Sequence, residues 1–114
     1  MKRKSALTVS QDLLFTPDQE RLFDALGDPT RRRILSRLRE GPQPVVAIAA
    51  HMPVSRPAVS QHLKILKECG LVTDEAVATR RVYSIAPQGV AALRAFVEGV
   101  WQQGLDRLTE LAKE

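Results

Sequence analysis

The stretch PVVAIAAHMPVSRPAVSQHLKILKECG, residues 44–70, has the pattern of two short helices joined by a turn. Its first part, residues 45–51, is small and apolar, and Pro44 suits the first position of a helix. Pro53 cannot continue that helix and constrains the residue before it, so a three-residue turn is expected at residues 52–54. The stretch therefore predicts a helix-turn-helix, whose second helix typically enters the major groove of DNA.

The second helix of this stretch is expected to have one buried and one exposed face. Ser55 is a favourable N-cap, and Gly70 supplies the left-handed residue that commonly ends a helix. Spacing at intervals of three, one and three predicts a buried stripe of Val59, His62, Leu63 and Leu66. The opposite face carries polar and basic side chains suited to base edges or phosphates: Arg56, Ser60, Gln61, Lys64, Lys67. A helical hairpin with a merely solvated polar face is the alternative.

The positive charge of the chain is concentrated around this stretch. The formal net charge is +4, but residues 29–84 carry ten Lys or Arg side chains against four acidic ones, and both flanks are mildly acidic. A polyanion is therefore the expected partner. The run Arg31-Arg32-Arg33 adds little to this argument, because such a run is usually a solvated helix face.

Length and composition favour one small domain in a reducing compartment. A chain of 114 residues that is 44% hydrophobic fits a single core. Its one cysteine, Cys69, excludes an intramolecular disulfide and fits a reducing compartment. The first residues lack the unbroken apolar run of a signal peptide, and no segment approaches the length of a membrane span. We expect a soluble cytoplasmic protein with no membrane partner.

Two further helices are predicted before the central stretch. Thr16-Pro17-Asp18-Gln19 has the form of a capping box with proline at the first helical position, and the helix it opens extends to Gly27. Asp28-Pro29 repeats the signal for a second helix, which Gly41-Pro42 ends. Residues 1–15 are expected to form a flexible arm.

After Gly70 the pattern changes to that of a β-hairpin. LVTDEA and RRVYSI, within residues 71–85, are short and partly β-branched, as strands are. This hairpin would form a wing, with Arg80 and Arg81 near its tip able to contact phosphates or the minor groove. Val82 and Ile85 are the residues expected to pack on the helices.

Residues 87–112 are predicted to form one long helix with an apolar face that is too broad for so small a body. A second copy of the chain would cover that face, so we expect a two-fold dimer. A core helix with a frayed end is the alternative. The residues assigned to the dimer interface, which include one from the first helix, are Leu22, Leu93, Phe96, Val97, Val100, Trp101 and Leu108.

Three segments of the chain stand out together: FDALGDPTRRRILSRL (residues 23–38), VSRPAVSQHLKILKECGLV (residues 54–72) and RRVYSI (residues 80–85). In their order and spacing they resemble the ArsR family of winged helix-turn-helix repressors. The resemblance implies a mainly α-helical fold with a small β-hairpin, namely a winged helix-turn-helix with a long C-terminal dimerisation helix. It also implies a homodimer that represses transcription by binding a pseudo-palindromic operator in double-stranded DNA.

Carried over by position, the resemblance divides the chain and assigns its DNA contacts. Residues 16–86 would form the DNA-binding domain, and residues 87–112 the dimerisation helix of the same domain. The helix at residues 55–69 and the wing at residues 71–85 would contact the operator. The DNA-binding residues would be Ser55, Arg56, Ser60, Gln61, Lys64, Arg80 and Arg81.

The chain resembles the members of the family that lack the metal-sensing sites. Arsenic and cadmium sensors carry a Cys-x-Cys pair in the helix that corresponds to residues 45–51, and zinc and nickel sensors use Asp and His in the last helix; neither set is present. We therefore expect no metal and no cofactor. A metal- or redox-responsive repressor that uses His51, His62 or Cys69 remains the alternative, although a core histidine and a buried thiol are the simpler interpretations.

Two other functional classes are less consistent with the residues. An enzyme is not expected, because the chain shows no nucleophile-base pair, cofactor motif or glycine-rich phosphate loop. A winged-helix module that binds protein instead of DNA is the remaining alternative. Such modules tend to lose the basic outward face that this chain keeps.

Overall fold

The computed structural model describes residues 16–113, and the expected arm at residues 1–15 lies outside them. The elements follow the order α1 (Pro17–Leu26), α2 (Pro29–Leu38), β1 (Gln43–Pro44), α3 (Val45–Ala49), α4 (Arg56–Glu68), β2 (Val72–Val77), β3 (Arg80–Ile85) and α5 (Pro87–Ala112). The expected fold class, mainly helical with a small sheet and a long last helix, is confirmed. Within the described range no helix is both long and apolar enough to cross a membrane.

Helices α1 and α2 begin where the capping signals predict. Thr16 accepts a hydrogen bond from the backbone N–H of Gln19, and the Gln19 side chain accepts one from the N–H of Thr16. Asp28 caps α2 by accepting from the N–H of Arg31. The Arg31 Nε donates to the carbonyl of Ala25 at 2.8 Å, so this arginine binds the C-terminal end of α1.

The neighbouring Arg32 also stabilises the end of α1. Its Nη1 donates to the carbonyl of Leu26 at 2.6 Å. Cationic side chains at a helix C-terminus satisfy carbonyls that have no partner within the helix and interact favourably with its dipole. Two arginines of the basic run at residues 31–33 therefore form hydrogen bonds with the C-terminal end of α1.

Helix α3 is shorter, and the turn after it longer, than the sequence suggested. The helix ends at Ala49 rather than at His51, and Pro44 is its N-cap rather than its first helical residue. Hydrogen bonds from N–H groups to carbonyls three residues earlier, including that of Met52 to Ala49, tighten the exit. The connection to α4 therefore spans residues 50–55, because the chain leaves the helical path before it reaches the proline.

Helix α4 has the caps that its sequence predicts, and three of the four residues of the predicted stripe are buried, whereas His62 is only partly buried. The Ser55 hydroxyl oxygen accepts from the N–H of Ala58 at 3.3 Å. Gly70, with φ +83°, ends the helix in a Schellman motif: its N–H binds the carbonyl of Lys67, and the N–H of Leu71 binds that of Leu66. The core residues that α4 contributes are fully buried: Val59, Leu63, Leu66.

The wing is a hairpin of β2 and β3, and β1 adds a third strand that the sequence analysis missed. The register pairs Val72 with Ile85 and Val77 with Arg80, which leaves residues 78–79 as the turn. The sheet order is β1-β3-β2. Tyr83 and Ile85 contact the core, whereas Val82 does not. Successive residues of a strand face opposite sides, so Val82 cannot share the face of Ile85, and the prediction that Val82 packs on the helices is wrong.

Helix α5 runs from Pro87 to Ala112 and leaves the body of the domain along its length. Near its start, the N–H of Ala86 binds the carbonyl of Leu71 at 3.0 Å. Leu93 contacts the core, and Phe96 is buried against α1, where its ring meets that of Phe23 edge-on at 5.1 Å. Beyond Phe96 the helix is exposed.

Candidate nucleic-acid interface

The outward face of α4 carries four exposed polar side chains. Within residues 16–113, none of them forms a hydrogen bond or ion pair with another part of the chain. The helix itself is held firmly by its fully buried stripe. The face therefore presents donors and positive charge on a rigid support, as direct readout of base edges requires. These residues are Arg56, Ser60, Gln61 and Lys64.

Ser55, also predicted to face DNA, is exposed but already has a structural task. Its hydroxyl oxygen is the acceptor that caps α4. The backbone N–H groups of the first helical turn lie beside it, and this end of a helix attracts anions such as phosphate. Ser55 is thus placed to support the N-terminus of α4 as well as to approach DNA.

The two wing arginines, adjacent in sequence, have different surroundings. Arg80 pairs with Val77 across the tip of the hairpin, is exposed, and has no ion-pair partner within residues 16–113. Arg81 points to the other face of β3, where its Nε lies 3.1 Å from Oδ2 of Asp74. The predicted pair is therefore divided into one arginine without an ion-pair partner among the described residues and one that forms an ion pair with Asp74.

The structure brings the wing and the start of α4 together. A cleft between them is lined by basic, polar and apolar side chains. Because a cleft lined by one sign of charge concentrates the electric field, it is suited to the phosphate backbone of DNA. Its lining residues are Pro44, Val45, Val46, Arg56, Thr79, Arg80 and Arg81.

Asp74 is an acidic residue of this region to which the sequence analysis assigned no role. Its side chain is only 7% exposed, and its Oδ1 lies 2.8 Å from Nζ of Lys67. The hydrogen bond from Lys67, together with the nearby charges of Lys67 and Arg81, holds the pKa of the Asp74 carboxyl below its usual value. The carboxylate is therefore charged throughout the neutral pH range.

His62 lies at the junction of α4 with the first two helices. It is half-buried, and its Nδ1 lies 3.3 Å from Nη1 of Arg31 and 3.9 Å from Oδ2 of Asp28. Since Arg31 can only donate, Nδ1 is the acceptor in that hydrogen bond. The backbone N–H of Arg31 lowers the pKa of the Asp28 carboxyl. These contacts give His62 a packing role between helices.

The other two candidate ligands lie apart from it. His51 is exposed, with Nδ1 3.2 Å from the carbonyl of Ala47. The Cys69 thiol donates to the carbonyl of Leu66 at 3.4 Å, and burial raises its pKa, which disfavours the reactive thiolate. In the described part of the chain, no group of three or more His, Cys, Asp or Glu side chains is arranged to hold a metal ion.

A second surface of interest is the apolar face of α5. It forms an open groove of about 500 Å³ with α1, and Trp101 is 68% and Leu108 63% exposed. Of the residues predicted for the dimer interface, Leu22 is 8% and Phe96 7% exposed, so both lie within the chain's own core. The groove is lined by Phe23, Phe96, Val97, Val100, Trp101, Gly104, Leu105, Arg107 and Leu108.

Known proteins similar to this chain include members of the same family that its sequence resembles. Residues 28–74 match the family model described as "Bacterial regulatory protein, arsR family". The HTH-type transcriptional regulator Rv2034 of Mycobacterium tuberculosis is 49% identical over 92 residues, which cover 81% of this chain and 86% of the relative. The transcriptional repressor SdpR of Bacillus subtilis is 43% identical over 46% of this chain and 59% of its own length.

A solved structure extends the comparison to the fold. The homodimeric winged helix-turn-helix DNA-binding domain Mb0332 of Mycobacterium bovis, described as a possible ArsR-family transcriptional regulator, superposes with a TM-score of 0.61. It is 34% identical, and the match covers 94% of this chain and 92% of that domain. The match therefore includes the long last helix as well as the helix-turn-helix and the wing.

Proposed function

This chain belongs to the ArsR family of winged helix-turn-helix transcriptional regulators, and on that premise we propose that it is a homodimeric repressor of transcription. It binds a pseudo-palindromic operator, with the α4 helices of its two protomers in successive major grooves. The observation that carries the proposal is the exposed polar face of α4, which has no internal partners among the described residues. As a regulator that acts on DNA, it works in the bacterial cytoplasm.

The DNA contacts are divided between reading and positioning. Gln61 and Ser60 read base edges, since neutral donors and acceptors give sequence information with little general attraction. Arg56 and Arg80 contact phosphates or guanine edges from the cleft between the wing and the start of α4, and Lys64 does so from the exposed face of α4. Ser55 approaches the backbone beside the helix N-terminus. Arg81 contributes less direct charge than Arg80, because it is paired with Asp74.

The dimer forms through α5 and the adjoining part of α1. Helix α5 has 26 residues, so it is about 39 Å long and extends past the core that covers its first part. Exposed apolar surface of this extent is unusual on a monomer and is covered in a two-fold pair, where the same patch meets itself. Residues 16–86 are thus the DNA-binding part and residues 87–112 the dimerisation helix, with Val97, Val100, Trp101 and Leu108 at the contact.

Repression follows from where the dimer sits. A protein that occupies operator DNA within a promoter excludes RNA polymerase from it. Transcription in vitro from the promoter upstream of the protein's own gene is expected to fall as the protein is added, with the same concentration dependence as operator binding. A rise in transcript would instead make the protein an activator.

The loss of one base-reading side chain should affect only operator binding. Gln61→Ala is expected to weaken binding to the operator by about 1–3 kcal/mol and to leave binding to random duplex nearly unchanged, because an amide contributes no charge to the general attraction. Fluorescence anisotropy titrations with both duplexes measure this. The matched control is Gln103→Ala, an exposed amide on α5. Equal losses on the two duplexes would assign Gln61 to the phosphate backbone.

The loss of Arg80, the wing arginine without an ion-pair partner among the described residues, should weaken binding to both the operator and random duplex. Arg80→Gln is expected to weaken operator and random duplex alike and to reduce the slope of log K against log salt by about 0.9, the contribution of one phosphate contact. Binding isotherms at four salt concentrations give that slope. Lys113→Gln, which removes the same charge at the far end of α5, should leave it unchanged. A slope unaltered by Arg80→Gln would remove the wing tip from the contact surface.

A further inference from the structure

The carboxylate of Asp74 joins α4, the proposed recognition helix, to the wing. Asp74 on β2 binds Lys67, in the last turn of α4, through Oδ1 at 2.8 Å, and Arg81 on β3 through Oδ2 at 3.1 Å. Both basic side chains are half exposed, whereas the carboxylate between them is 7% exposed. Each of its oxygens thus has one charged donor, and the three residues belong to three different elements.

The negative charge of this carboxylate is unfavourable at its position, beside the surface proposed to bind DNA. A negative group beside a surface that meets DNA repels the phosphates, and its single charge offsets one of the two positive charges of Lys67 and Arg81. On electrostatic grounds alone, Asp74 therefore weakens DNA binding. Any favourable effect has to come from the placement of the groups that it holds.

We propose that Asp74 is a positioning residue that fixes the wing relative to the recognition helix and thereby sets the sequence specificity of DNA binding. This inference rests on the proposed function, since it assumes that α4 and the wing contact DNA together. Asp74 itself does not touch DNA. Phosphate contacts made by the wing determine the register in which α4 meets the base edges. A wing released from α4 would still attract DNA but would no longer hold that register.

Two neighbouring substitutions that each remove one negative charge are expected to change the Kd for the operator in opposite directions. Asp74→Asn is expected to raise the Kd for the operator about tenfold, while the Kd for random duplex stays constant or falls. Glu75→Gln removes the adjacent carboxylate, which is exposed on the other face of β2. It is expected to lower both Kd values by the same small factor, because it changes only the charge.

The experiment measures the Kd of the full chain for both duplexes at two salt concentrations, alongside the thermal unfolding midpoint of each variant. Asp74→Glu keeps the charge, so its ratio of the Kd for random duplex to the Kd for the operator should lie between those of Asp74→Asn and the unsubstituted protein. Should Asp74→Asn fail to fold, Lys67→Gln provides the same test from the exposed end of the bridge. It should lower the specificity ratio as well as the general affinity.

Two results would overturn the proposal. If Asp74→Asn strengthens binding to both duplexes as Glu75→Gln does, or Lys67→Gln weakens both equally, then the carboxylate acts only as a charge. If the unsubstituted protein fails to distinguish the operator from random duplex, the proposed function itself is wrong, and this inference fails with it. The first result leaves operator binding by the unsubstituted protein intact, so the two failures are distinguishable.

Discussion

Val97→Glu is expected to separate the dimer into monomers and to abolish tight operator binding. Val97 is half exposed on the α5 groove, beside Val100 and Trp101. In a two-fold dimer the glutamates of both protomers would be buried in an apolar contact, where each unpaired charge costs several kcal/mol. A penalty of about 3 kcal/mol raises the dimer dissociation constant more than a hundredfold.

The effect on DNA follows from the loss of bivalency. A monomer contacts one half-site, and joining two binding modules increases the overall affinity by about 10² to 10⁴. Analytical ultracentrifugation gives the mass, and operator titration gives the affinity. Ala95→Glu is the matched control, because helical spacing places residue 95 on the side of α5 away from Val97. A Val97→Glu protein that stays dimeric would place the interface elsewhere.

Gly89→Ala is expected to destabilise the fold by about 3 kcal/mol, at the upper end for an overpacked site. A Cβ at this position would lie 1.8 Å from the carbonyl oxygen of Gly70 and 3.2 Å from the Cα of Leu71. Both contacts are with backbone, which cannot rotate away as a side chain can. The hydrogen bond from Ala86 to Leu71 holds the same two segments together, so α5 has to shift away from the end of α4.

The matched control for Gly89 lies ten residues further along the same helix. A Cβ at Gly99 meets no atom within 4 Å, so Gly99→Ala is expected to stabilise the protein by about 1 kcal/mol through helix propensity alone. Urea denaturation at one fixed protein concentration compares both variants with the parent. Equal changes for the two glycines would contradict the close contact between α5 and the end of α4.

The helix boundaries that local chemistry controls could be predicted from the sequence. The caps at Thr16, Asp28 and Ser55 and the left-handed stop at Gly70 each depend on residues within one turn, and all four are confirmed. Strand β1 could not be predicted in the same way. It has two residues, and its only signal is its pairing with Tyr83 and Val82, about forty residues away.

In the candidate site, too, features that depend on neighbouring residues could be predicted and features that depend on distant contacts could not. Helical periodicity was enough to separate the exposed face of α4 from its buried stripe. Periodicity could not show that Arg80 is unpaired while Arg81 binds Asp74, because that difference depends on hairpin register and on the approach of Lys67 from another element. The alternation of faces along a strand was the available signal, once β3 had been predicted.

Titration of the unsubstituted protein against the DNA upstream of its own gene shows whether it is an operator-specific regulator. The titration is done with excess random competitor, at two salt concentrations, with and without EDTA. We expect saturable, salt-sensitive binding of two chains per site, with a Kd on the order of 10⁻⁸ M that EDTA does not change. Binding that the random competitor removes completely would contradict an operator-specific regulator.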